Sequence, residues 1–175
     1  ADPVVSGDAA AAASNALLGT LGISAKDSGG RGVGVAVIDS GIQPAAGLTP
    51  AASFDFTIGG QQVQAADAYG HGTHVAGLIA ASAASTAADA VRGIAPLVRL
   101  VSLRVLDAEG RGNTSAVVQA LDFAVANRRR LGIDVVNLSL GHFATEAPDV
   151  DPLVKAVEAA TRAGLIVVVA AGNVG

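Results

Sequence analysis

The sequence contains no cysteine and no methionine. Without cysteine there is no disulfide framework, no thiol nucleophile and no thiolate metal ligand. The missing starting methionine implies a processed or engineered beginning. The first residues, Ala-Asp-Pro-Val-Val, lack the positive n-region of a secretory signal. Absence of both sulfur residues suits an oxidising exterior, so a secreted, extracellular protein is expected. Charge is also scarce: 15% of the 175 residues are Asp, Glu, Lys or Arg, with a net charge of −4. A nucleic-acid partner would want a basic face, and the one basic run, Arg128 to Arg130, reads as the last turn of a helix, where cations favour the dipole. No apolar run reaches membrane-spanning length, so no membrane partner is expected either.

What is present is apolar and small. Hydrophobic residues make up 51% of the chain and the mean hydropathy is +0.51. The length fits one domain with a real core, residues 1–30 being an extension packed on it. Short apolar runs bounded by turn residues read as buried strands: Val33–Ile38, Ala52–Ile58, Leu97–Leu106, Ile133–Leu138 and Leu165–Ala170. Between them Thr73–Ala84 reads as a buried helix, and Ser115–Arg130 and Pro152–Ala163 as helices stopped by Gly132 and Gly164. Asp8–Leu21 is Ala-rich and reads as a short helix. Strands alternating with helices predict an α/β fold, a three-layer, doubly wound, mostly parallel sheet. Ligands of such sheets bind beyond the carboxyl ends of the strands. The polar residues there are Asp39 and Ser40, Ser139 to His142, and Gly172-Asn173, joined by Gly70-His71-Gly72-Thr73-His74 at a helix start.

A carboxylate such as Asp39 at the end of a buried strand needs a partner. His71, bracketed by glycines that let another backbone approach, could be that partner. A carboxylate on one imidazole nitrogen fixes the tautomer and stabilises the cation once formed, which makes a general base awaiting a nucleophile. Asn173, in a glycine loop, can donate a side-chain hydrogen bond to a developing oxyanion; an Asn in a left-handed turn is the blander reading. His74, one helical turn after His71, allows a metal set with Asp39 and His71, but its small apolar neighbours favour a hydrogen-bonded core histidine.

VIDSGI, GHGTHVAG, NLSLG and AAGN occur in this order in the subtilisin-like serine proteases, and the chain resembles that family from about Arg31 to Gly175. The intervening RVLDAEGRGNTSAVVQAL is similar too. The resemblance implies a subtilisin-like fold and a serine endopeptidase in which Asp39 is the triad acid, His71 the base and Asn173 the oxyanion-hole amide, a donor whose loss costs roughly 10²–10³-fold in turnover. It implies a polypeptide substrate held as an added strand between Gly110-Arg111-Gly112 and Ser139-Leu140-Gly141. Ala170, Ala171 and Gly172 would wall the pocket for the residue before the cut, tolerating apolar side chains.

The family's triad runs in the order Asp, His, Ser, with the serine in a Gly-Thr-Ser motif well after AAGN. No such motif follows Asn173 here. The expectation is therefore a fold incomplete at its C-terminus, inactive alone, which needs the rest of the domain as partner and takes a propeptide as a further one; the alternative is a non-catalytic peptide-binding module. Asn113-Thr114-Ser115-Ala116 resembles the missing motif but opens a helix, with Thr114 or Ser115 as the N-cap. Ser40 adjoins the acid rather than facing the base. No cofactor is expected: the family's calcium loop corresponds to Ala80–Gly93, where Asp89 is the one strong oxygen ligand, against the roughly six to eight that calcium wants. The glycosylation patterns at Asn113 and Asn137 read as accidental.

Overall fold

The computed structural model describes residues 18–23, 29–82, 92–141 and 147–172. Asn173, His142, Asp89 and most of the expected Asp8–Leu21 helix lie outside the described residues; the last turn of that helix, Leu18 to Thr20, lies within them and is helical. Six strands form one sheet: β1 (Gly34–Asp39), β2 (Ala52–Asp55), β3 (Gln61–Gln62), β4 (Arg99–Arg104), β5 (Val135–Leu138) and β6 (Ile166–Val169). Their order is β3-β2-β4-β1-β5-β6. All pairs are parallel except β2 with β3. Among the described residues three longer helices complete the layers: α1 (His71–Ala80), α2 (Thr114–Leu131) and α3 (Pro152–Arg162).

β1 is the central strand because every residue in it is buried. Its side chains alternate between the faces, as the pleat requires. Val35 and Val37 join Ala76 and Ala80 of α1 in one core. Ala36 and Ile38 join Val117, Leu121 and Ala160 of α2 and α3 in the other. Full burial of a side chain such as Ile38, 0% exposed, contributes about 1.5–3 kcal/mol.

The helix ends follow local chemistry. Asp151 caps α3, accepting from the backbone N–H of Leu153 at 2.7 Å, with Pro152 at the first helical position, where its missing N–H costs nothing. Gly132 ends α2 in the left-handed region. The three arginines do occupy the last turn of α2, and the Arg128 guanidinium donates to the Ala163 carbonyl at the end of α3.

Several boundaries differ from expectation. The expected strand Ala52–Ile58 breaks at Asp55, whose carboxylate accepts from Thr57 N at 2.9 Å and Thr57 Oγ1 at 2.6 Å and starts a 3₁₀ turn over Phe56–Ile58. β3 was not anticipated, since two exposed glutamines carry no hydrophobic alternation. α1 is buried along one stripe, Gly72, Ala76 and Ala80, rather than all round. The N-cap of α2 is Asn113, not Thr114 or Ser115.

Candidate active site

The sheet changes direction at β1: β2 and β4 lie on one side of it, β5 and β6 on the other. Crevices at such a switch point, past the carboxyl ends of the strands, are where open α/β sheets bind ligands. Asp39 ends β1 there, fully buried at 0% exposure. The start of α1 brings His71 to it. His71 Nδ1 lies 2.8 Å from Asp39 Oδ1 and 2.9 Å from Oδ2. Oδ1 also accepts from the backbone N–H of Ser40 at 2.7 Å. Asp39 is enclosed while the His71 side chain is 43% exposed. A neutral imidazole facing a carboxylate this way carries its proton on Nδ1, so Nε2 is left to accept one.

The approach depends on Gly72. A Cβ there would sit 2.2 Å from the Gly41 carbonyl oxygen and 3.1 Å from the Asp39 Cβ. The helix start is held by Asp67, which sequence reasoning missed. Gly70, the N-cap, offers no side chain; Asp67 Oδ1 accepts from Gly70 N at 2.8 Å and Oδ2 from Thr73 N at 2.9 Å. Burial pushes the Asp67 carboxyl up, but hydrogen bonds from the Thr73 hydroxyl, the Gly70 and Thr73 N–H groups and Ser40 outweigh it and hold the group below its ordinary value. An acid three residues ahead of a glycine N-cap is the signal that was available.

β4 leads into a tight turn. Leu106 bridges to Gly112, and Asp107 Oδ1 accepts from the backbone N–H groups of Glu109 at 3.0 Å and Arg111 at 2.8 Å. The Arg111 N–H is the largest influence holding the Asp107 carboxyl below its ordinary value. Between this turn and the segment after β5 runs a cleft of about 400 Å³. Gly110 and Gly112 form one wall and Ser139, Leu140 and Gly141 the other. His71 and Tyr69 stand at it, and Leu106, Val117 and Leu153 supply apolar lining. Tyr69 lies so close over Gly110 that a Cβ there would be 2.4 Å from its ring. Sequence reasoning missed Tyr69, Leu106, Val117 and Leu153, which come from four separate segments.

Other expected residues sit elsewhere. Arg111 lines a second hollow, of about 190 Å³, with Asp107 and Gln119. Ala170, Ala171 and Gly172 follow β6 and are exposed. Ser40 is 1% exposed, and Ser115 is in the first turn of α2. Asn137 Nδ2 donates to Ser139 Oγ at 2.7 Å. His74 is exposed rather than in the core, because its phase on α1 is opposite to the Gly72–Ala76–Ala80 stripe. Among the described residues no three His, Asp or Glu side chains form a metal-holding group, so Asp39, His71 and His74 do not converge. No helix among those residues is long and apolar enough to cross a membrane.

Comparison with known proteins agrees with this fold. Residues 30–175 match the family model described as Subtilase family, Peptidase S8. The chain is 42% identical over 146 residues to Subtilisin BL of Lederbergia lenta, covering 83% of this chain and 49% of that protein. It is 37% identical over 151 residues to the serine protease AprX of Bacillus subtilis strain 168, covering 34% of that protein. Among solved structures, the S41 psychrophilic protease aligns with a TM-score of 0.75 at 30% identity, over 91% of this chain and 52% of that one. The chain thus spans about half the length, or less, of the curated relatives it matches. With the α/β sheet, the family model and these relatives in agreement, the chain belongs to the subtilase family of serine peptidases.

Proposed function

We propose that this chain supplies the acid, the base and the substrate-pairing walls of a secreted serine endopeptidase, and that the nucleophilic serine comes from a segment beyond these 175 residues or from a complementing chain. The observation that carries the reading is the Asp39–His71 pair, with Nδ1 at 2.8 and 2.9 Å from a wholly buried carboxylate. In this reading the serine Oγ attacks the peptide carbonyl carbon while His71 Nε2 takes its proton. His71 then returns that proton to the leaving amine as the C–N bond breaks. Water, deprotonated by the same base, hydrolyses the acyl ester. Asp39 holds the tautomer and the charge, and Asn173 donates to the oxyanion. A polypeptide lies between Gly110–Gly112 and Ser139–Gly141 as an added strand. The apolar lining from Leu106, Val117 and Leu153 supports a preference for an apolar side chain at that point.

Exposed apolar surface supports a covering segment. Leu78 on α1 is 46% exposed, and Ile166, Val168 and Val169 on the edge strand β6 are 64%, 50% and 54% exposed. Ile166 and Val168 lie on one face of that edge strand, and a bare apolar edge of this kind invites an added partner.

The test is Asp39→Asn in the full-length protein, assayed on a peptide substrate. Expected is a fall of about 10⁴-fold in kcat, the loss that follows when a triad keeps its geometry but not its tautomer. Hydrolysis at the parent rate would refute the reading. Peptide binding without hydrolysis by the parent protein would instead establish the non-catalytic module.

A further inference from the structure

The turn before His71 carries more polar contacts than a turn requires. Asp67 Oδ1 accepts from the backbone N–H groups of Tyr69 and Gly70 at 3.2 and 2.8 Å, which suffices for an Asx turn. Oδ2 does something further. It accepts from the Thr73 N–H at 2.9 Å and from Thr73 Oγ1 at 2.5 Å, and the same hydroxyl accepts from the Gln43 N–H at 2.9 Å. Ser40 Oγ accepts from the Gly72 N–H at 2.9 Å. Ser40 and Gln43 belong to the loop that begins with Asp39. Gly70, Gly72 and Thr73 belong to the helix start that bears His71. One carboxylate therefore holds the helix start directly and, through the Thr73 hydroxyl, the loop.

The His71 side chain is 43% exposed, so its placement depends on the backbone beneath it as well as on its packing. Hydrogen bonds to an ionised carboxylate are the strong ones. We propose that Asp67 is a positioning residue: acting through Thr73, it ties the start of the His71 helix to the Asp39 loop and sets the geometry of the Asp39–His71 hydrogen bond. This rests on reading that pair as the acid–base couple.

The readout is the Nδ1 proton shared by His71 and Asp39, observed as a downfield imidazole N–H signal in the full chain labelled with ¹⁵N-histidine, with far-UV circular dichroism as the measure of fold. Asp67→Asn replaces an acceptor by a donor facing Thr73. Thr73→Val removes the hydroxyl, and Thr73→Ser keeps it. Expected is a parent-like circular dichroism spectrum for all three. The shared proton should exchange with water about tenfold faster in Asp67→Asn and Thr73→Val, as loss of a charge-assisted hydrogen bond implies, and within about twofold of the parent in Thr73→Ser. Folded Asp67→Asn and Thr73→Val chains with parent exchange would overturn the proposal. Unfolding of both would overturn it too, since a positioning role leaves the sheet standing. Absence of the signal from the parent chain would instead remove the Asp39–His71 couple, and with it anything for Asp67 to position.

Discussion

Two glycines of α1 should respond to alanine in opposite directions, although both lie within one helix. In a helix interior Gly→Ala is worth about 1 kcal/mol in favour of Ala. At Gly77 nothing lies within 4 Å of the added carbon, so Gly77→Ala should stabilise the 175-residue chain by about 0.5–1 kcal/mol. At Gly72 the added carbon would lie 2.2 Å from the Gly41 carbonyl oxygen and 3.2 Å from Asp39 Oδ1. Restoring an ordinary contact of about 3.4 Å requires backbone to move by about 1 Å, and neither side is a flexible side chain. Overpacking of this kind costs about 1–3 kcal/mol. With backbone on both sides the upper part of that range applies, and the net effect is destabilisation by about 2 kcal/mol. The same displacement stretches an Asp39–His71 bond of 2.8 Å beyond hydrogen-bond range, and a misplacement of about 1 Å in a catalytic constellation costs on the order of 10²-fold in rate. Urea unfolding followed by circular dichroism measures the stability part directly. If Gly72→Ala unfolds at the parent midpoint or above it, propensity outweighs the clash and the close-approach argument is wrong.

Other expectations follow from the same geometry. The Asp67 carboxyl lies below its ordinary value in the folded chain, so the unfolded chain takes up the proton first as pH falls. Its stabilisation is complete above about pH 4, the unfolded carboxyl value, and is lost as pH drops through the lower folded value. Urea midpoints of the parent and Asp67→Asn should accordingly differ at neutral pH and converge below about pH 4; a constant difference would contradict this. Phe123 meets Phe54 and Phe56 at ring-centroid distances of 4.5 and 5.5 Å from a half-buried position, so Phe123→Ala should cost about 2–3 kcal/mol by calorimetry. Leu153→Ala enlarges the apolar part of the cleft. In the full-length protease it should shift kcat/KM toward larger apolar side chains by about tenfold, a methylene or two in a hydrophobic pocket, measured on a graded peptide series.

Legibility of the fold followed burial. β1, β4 and β5 were readable because valine-rich runs between turn residues have little else to be in an α/β chain. β3 was not, because Gln61 and Gln62 face solvent and pair only through backbone to β2. The break at Asp55 escaped notice because a carboxylate binding its own turn looks, in sequence, like one more strand residue. In the site, Asp39 and His71 announced themselves by lying at a strand end and a helix start. Leu106, Val117 and Leu153 did not, since each looks like ordinary core and only the fold brings them to one cleft. His74 misled for the reverse reason: small neighbours suggested a core, whereas helical phase, not neighbours, decides which side chain is inside.

The central strand has a consequence in time. β1 precedes the other five strands of this sheet in the chain, yet Val35 pairs with Leu100 on one side and Val135 on the other. The bond from Gly34 N to Asp134 Oδ2 spans 100 residues of sequence. At roughly 5–20 residues per second, the fully apolar core of β1 waits on the order of 5–20 s during synthesis before its second neighbour exists. Non-local pairing of this sort folds slowly even from the finished chain. The residues best protected in the folded sheet are thus the ones longest unprotected while it is being made.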